Sequence, residues 1–221
     1  QRITTFYPVE RSGPEHAVER QLYDRVTEYV VDNYDLALQR NDRAFSFLMM
    51  LYQRMVTSSS QAIRHALSNR LARLSALQGA LEAVNQRTLD FDEDAALDED
   101  AERLWEELQA VVGVVDETGL QKEIALIKSL LQLSEEATVG RQDAKLKALL
   151  RIVDEVCRRQ RDPTTKFLVF TEFVATQEYL TEALRGSGYE VVCINGQVKP
   201  EKRVLAREAF RTDAQFMIST D

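Results

Sequence analysis

Apolar positions spaced three or four residues apart dominate the chain as far as Gln160, and beyond it short apolar runs alternate with helical stretches. At the start, Ile3, Thr5, Tyr7 and Val9 alternate with Thr4, Phe6 and Pro8, which predicts a short edge strand. Ser12, Gly13, Pro14 and Glu15 predict a helix start, with a cap, an early proline and an acid in the first turn. The helix that follows places Val18, Leu22, Val26, Tyr29 and Asn33 on one stripe and Arg20, Asp24 and Glu28 opposite. A second helix is predicted over residues 45–56, with Phe47, Leu48, Leu51 and Met55 inward. Met49, Met50 and Met55 read as core filler. Residues 57–60 break the pattern and can cap a third, long helix, on which Ile63, Leu67, Leu71, Leu74, Leu77, Leu81 and Val84 form one stripe. That stripe suits packing within one bundle; it is too short to prefer a coiled coil.

Leu104, Leu108, Val111, Val112 and Val115 predict another helix, and Leu120, Ile124, Ile127 and Leu131 one more. Residues 149–155 run from leucines to Asp154 and Glu155, as a Walker B strand would. However, Leu146, Leu149, Leu150, Val153 and Val156 fall at helical spacing, and Lys147 and Arg151 would interrupt a strand core, so a helix is predicted. Arg158, Arg159 and Arg161 close it before Asp162 and Pro163, where cations suit the helix dipole. Then three apolar runs, 167–170, 189–194 and 216–218, stop at Thr171 and Glu172, at Asn195 and Gly196, and at Ser219, Thr220 and Asp221. Strands alternating with helices predict βαβ units and a parallel sheet. Ligands gather at the carboxyl ends of such strands, and here all three ends are small and polar.

At 221 residues, 44% hydrophobic and 29% charged, the composition is that of a soluble globular protein of one or two domains. No apolar run approaches the ~20 residues needed to cross a bilayer, and no signal-peptide core precedes the first helix. Cys157 and Cys193 are too few for a disulfide framework and fit a reducing cytosol, so a cytoplasmic location is expected. The net charge of −8 would argue against nucleic acid, but its source is local. Residues 90–107 hold ten acids against Arg103 alone, so the rest of the chain nets +1. Such a block reads as a solvated linker, with a nucleic-acid mimic or autoinhibitory strip as the rival reading. There is no glycine-rich phosphate loop ending in Gly-Lys-Ser/Thr, no clustered metal ligands and no nucleophile elbow. His16 and His65 are isolated and expected on helix surfaces.

The closing stretch resembles the second RecA-like lobe of superfamily-two helicases and translocases, specifically the Swi/Snf group with its bacterial RapA-like relatives. Residues 166–173, Lys-Phe-Leu-Val-Phe-Thr-Glu-Phe, are similar to that family's fourth motif. Asn195, Gly196, Arg203 and Phe210 resemble its Gly…Arg…Phe segment, and residues 218–221, Ile-Ser-Thr-Asp, the opening of its fifth motif. Residues 52–59, with Ala62, Arg64, Leu67, Arg70 and Leu71, resemble the helical segment between the lobes, and residues 143–156 the helix leading into the second lobe.

The resemblance implies a helical bundle followed by a partial RecA-like lobe with a parallel sheet, of the P-loop-NTPase type. The expected divisions are an edge strand from the end of lobe one over 1–10, an interlobe helical region over 11–89 and an acidic linker over 90–103. Further helices over 104–162 would lead into a partial lobe two over 163–221. The intact parent is then an ATP-hydrolysing translocase on double-stranded DNA, using ATP and magnesium. This piece alone is expected to be inactive and to hold no cofactor, having no Walker A loop, Walker B acid or arginine finger. Thr171 and Thr220 would hold one DNA strand by hydroxyl-to-phosphate bonds, and Asn195, Gly196 and Gln197 would lie beside it. Arg203 would pair with an acid within the lobe or reach phosphate, and Asp221 would stand near the nucleotide side. Arg54, Arg64, Arg70 and Arg73 would meet phosphate or form a solvated face with intrahelical ion pairs. RNA polymerase or other proteins are candidate partners, no membrane is expected, and an exposed sheet edge would favour a dimer. The competing class is a non-enzymatic helical interaction module.

Overall fold

The computed structural model describes residues 4–89, 117–138 and 143–220. The acidic stretch and the helix expected over 104–115 lie outside the described residues, as does Asp221. A 3-10 turn, Pro14–His16, leads into α1 (Ala17–Gln39). Then come α2 (Arg43–Ser58), α3 (Ser60–Leu89), α4 (Glu117–Thr138) and α5 (Ala144–Gln160). The last third alternates β1 (Phe167–Thr171), α6 (Val174–Gly186), β2 (Val191–Ile194), α7 (Pro200–Thr212) and β3 (Phe216–Thr220). None of the described helices is long and apolar enough to cross a membrane.

The helices α1 to α4 share one core, built on Leu22, Val26, Met49, Ile63, Leu67, Leu74, Leu120 and Ile127. These are the stripes expected from the spacing on α1, α3 and α4. On α2 the face is rotated from expectation, since Ser46, Met49, Tyr52 and Val56 are buried while Phe47 is 56% exposed. Met50, expected as filler, is exposed as well. Asp42 caps α2 through a bond from the Phe45 amide, and Ser59 starts α3 by accepting from the Ala62 amide.

One polar network crosses this apolar interior. The Arg70 guanidinium on α3 donates from Nε (3.0 Å) and from a terminal nitrogen (2.8 Å) to Glu123 Oε1 on α4. The Tyr29 hydroxyl on α1 donates to the same oxygen at 2.9 Å, and Arg70 stacks over the Phe45 ring of α2. Burial draws the Arg70 guanidinium down, but Glu123 and the two tyrosines outweigh it, so its proton is held more tightly than usual. Burial, followed by Glu123, raises the Tyr29 phenol; burial also pushes Tyr52 up to about 12.

The sheet is parallel with order β1-β3-β2, so among the described residues β3 is central and β1 and β2 are the edges. One face packs Phe167, Val169, Val191, Phe216 and Ile218 against Leu184 of α6 and Val153 of α5, and Phe167 stacks on Phe216 at 5.1 Å. The other face shows Leu168 and Phe170 to solvent. Residues 149–155 are helical, with Asp154 and Glu155 exposed, so no Walker B strand forms.

Two expectations are corrected. Residues 4–10 form no strand, and no strand among the described residues pairs with them. His16 is buried, not on a surface: its Nδ1 lies 3.3 Å from Glu19, which also pairs with Arg11 at 3.0 Å. Glu19 reaches across to accept from the Ala144 amide at 3.0 Å, joining α1 to the first turn of α5.

Candidate nucleic-acid interface

Parallel pairing aligns the carboxyl ends of all three strands. Thr171 of β1 stands opposite Thr220 of β3, and Ile194 of β2 opposite Ser219. Thr171, Thr220 and Ser219 therefore share one rim with Asn195, which follows β2. All four are partly exposed.

Beyond β2 the chain turns at Asn195, whose Oδ1 accepts from the Gln197 amide at 3.0 Å, the local turn that asparagine favours. Gly196 is bare: a Cβ there would meet nothing within 4 Å, and its φ is not positive, so the protein's own packing does not require glycine. Arg203 meets neither an acid nor an open surface. Its Nε donates to the Val198 carbonyl (2.8 Å) and a terminal nitrogen to the Asn195 carbonyl (3.0 Å), folding the loop back onto α7. A guanidinium one turn into α7 finds the loop carbonyls before it finds a carboxylate.

The residue that holds the rim together is Gln177, 1% exposed on α6. Its Nε2 donates to the Ile194 carbonyl at 2.9 Å and to the Ile218 carbonyl at 2.8 Å, while its Oε1 accepts from Asn195 Nδ2 at 2.8 Å. One side chain so ties the ends of β2 and β3 to the Asn195 turn. Periodicity does not reveal this role, because a lone glutamine in an amphipathic helix reads as a surface residue.

Below the rim, a cleft of about 510 Å³ opens between the helical region and the sheet. From α2 comes Arg54, which meets Glu172, the residue after Thr171, at 2.6 Å. Ser58 and Ser59, at the α2–α3 corner, lie 3.0 and 2.8 Å from the Thr176 hydroxyl in the first turn of α6. From α5 come Asp143, Lys145 and Leu149, and the Tyr179 hydroxyl accepts from the Asp143 amide at 3.3 Å. Thr171 lines the cleft as well as the rim. Of the four arginines considered above, Arg64 pairs with Glu135 and Arg70 with Glu123, both between helices and not within one. Only Arg54 lines the cleft.

Burial, then Glu19, raises the Asp143 carboxyl above its ordinary 3.8, against the pull of the Leu146 amide. The folded state then keeps a proton that the unfolded chain has already lost, so this site's contribution to stability falls as pH rises from 3.8 to the raised value. Asp143→Asn keeps a cap for the Leu146 amide and is expected to abolish that fall. Urea midpoints of both proteins across an acid series check this; parallel curves would refute it.

Asp154 and Glu155 project into solvent from α5, with Asp154 paired to Arg158, and the described residues hold no group of three candidate metal ligands.

Comparison with known proteins agrees with this architecture. Residues 144–221 match the family model of the helicase conserved C-terminal domain. Among solved structures, the helicase domain of Pyrococcus furiosus Hef superposes with a TM-score of 0.52 at 14% identity, over 92% of this chain and 43% of that one. The C-terminal part of the Fun30 ATPase domain gives a TM-score of 0.41 at 15% identity, over 92% of this chain and 65% of that one. No curated protein matches the chain. The chain thus spans less than half the length of the Hef helicase domain. Its last third, led in by α5, has the fold of a partial RecA-like helicase C-terminal lobe, set behind a helical region.

Proposed function

We propose that this chain is part of an ATP-driven translocase on double-stranded DNA, of the Swi/Snf type with RapA-like relatives, and that its share is to grip one strand by the backbone. The observation that carries this reading is the pairing of Thr171 with Thr220 on neighbouring strands, at an open rim of hydroxyls. Hydroxyls donate to phosphate oxygens without reading bases, as a motor that steps along any sequence requires. Bare Gly196 lets a backbone approach closely, and exposed Gln197 stands beside it. Asn195 acts by shaping the turn, since its side-chain oxygen and nitrogen are both engaged within the protein. Arg203 serves the same turn. ATP and magnesium are proposed for the parent, with hydrolysis falling to groups other than those described.

The test is Thr171→Ala combined with Thr220→Ala, read by fluorescence anisotropy on a labelled duplex. A hydrogen bond to a charged group contributes about 1.5 kcal/mol or more, so the pair is expected to weaken binding by at least about tenfold. The salt dependence should hold, because no charge is removed. Unchanged affinity would overturn the reading.

A further inference from the structure

We propose that the cleft between the α2–α3 corner and the β1–α6 loop is a second seat for the same DNA backbone, in which Arg54 exchanges Glu172 for a phosphate and Lys145 is the second cation. This rests on the reading of the rim above, because the two sites share Thr171. A strand held at the Thr171 hydroxyl already stands at the mouth of the cleft.

Three features of the lining point to a phosphate diester. The first is the state of Arg54. Its side chain is 60% exposed and that of Glu172 41% exposed, and an ion pair so well hydrated is held by little. A phosphate presents the same paired oxygens as a carboxylate to the planar guanidinium fork. The exchange therefore costs the fold almost nothing.

The second is Lys145. It projects from the first turn of α5 into the cleft and makes no ion pair among the described residues. The third is the supply of donors. Thr171 makes no side-chain hydrogen bond among the described residues, and the Tyr179 hydroxyl only accepts, from the Asp143 amide, so its proton is available. Asp143 and Glu19 both attract Lys145, so a phosphate there competes with them for that cation. Asp143 is turned to the Leu146 amide and caps α5, and Glu172 is the group that Arg54 leaves. The remaining hydroxyls brace the walls, with Ser58 and Ser59 bonded to Thr176 and Thr57 to the Gln53 carbonyl.

The helical region is then more than a spacer. It delivers a cation to the strand that the lobe holds, and it does so from the residue four positions before the corner that fastens it to α6.

Arg54→Ala and Lys145→Ala, singly and together, test this in the full chain, with affinity for a labelled duplex measured over a range of salt. Each cation lost should reduce the slope of log affinity against log salt by about 1, and the double variant by about 2. Glu172→Gln frees Arg54 and should tighten binding at low salt. Arg64→Ala, which removes an exposed pair with Glu135 on α4, should leave the slope alone. If Thr171→Ala weakens binding while Arg54→Ala and Lys145→Ala both keep the wild-type slope, the cleft proposal is overturned and the rim reading stands. If the wild-type chain shows no affinity for duplex at low salt, the rim reading fails and takes this proposal with it.

Discussion

Arg70→Ala is expected to destabilise the helical region by about 3–5 kcal/mol, among the largest effects of any single substitution in the chain. The side chains of Arg70 and Glu123 are only 7% and 11% exposed. Removing the guanidinium strands a carboxylate among Tyr29, Tyr52 and the apolar face of the bundle. Tyr29 still donates one bond to it, but one phenol does not replace two charged donors and a counter-charge. The control is a triple change, Arg70→Leu with Glu123→Met and Tyr29→Phe, which removes both charges together with the buried hydroxyl that would lose its acceptor, and fills the space. It should recover most of the loss, since an apolar pair of similar volume often equals or exceeds a buried ion pair. Urea denaturation followed by circular dichroism measures both variants. A single variant that unfolds at the wild-type midpoint would show that the network carries no structural role.

The second large effect is expected at Gln177. Gln177→Ala leaves the Ile194 and Ile218 carbonyls and the Asn195 amide without their partner at the end of the sheet. Each buried group so orphaned costs about 1–3 kcal/mol, and water entering at the rim offsets part, so a loss of about 2–4 kcal/mol is expected. Gln177→Glu should be worse than alanine at neutral pH, although it has almost the same shape. It turns the two Nε2 donations into a carboxylate facing two carbonyl oxygens, and a buried charge left with one neutral donor, the Asn195 amide, is the costlier error. Acid should then rescue the glutamate variant in part, because a protonated carboxyl regains one donor. Thermal melts across acid to neutral pH check the ordering; a glutamate variant as stable as wild type at neutral pH would contradict the geometry.

The helices and strands were legible because their periods differ. Leu22, Val26 and Tyr29, or Ile63, Leu67 and Leu74, leave no doubt about which face turns inward, and all six are buried. On α2 the same logic failed. Residues 47–51 are all apolar, so no polar position marks the outer face, and tertiary packing turned Phe47 out and Ser46 in. The rim hydroxyls and the Asn195 turn were legible as polar ends of apolar runs, but their neighbours were not. On α6 the buried face carries Thr176, Gln177 and Thr181, so a hydrophobic pattern points away from the side chains that hold the site. Likewise nothing in the order of residues says that a strand 49 positions on will slide between β1 and β2 and set Thr171 against Thr220. Strand order is a property of the closed sheet, and sequence neighbours give it only when consecutive strands pair.

That central place of β3 governs how the lobe can be made. β1 and β2 have no bond to each other, so neither can form a ladder until residues 216–220 have been synthesised. A ribosome adds about 5–20 residues each second, so the nascent chain carries the apolar run of β1 without a partner for a few seconds. During that interval Phe167 to Phe170 is the most adhesive stretch of the emerging lobe, and its protection falls to whatever meets the chain at the ribosomal exit.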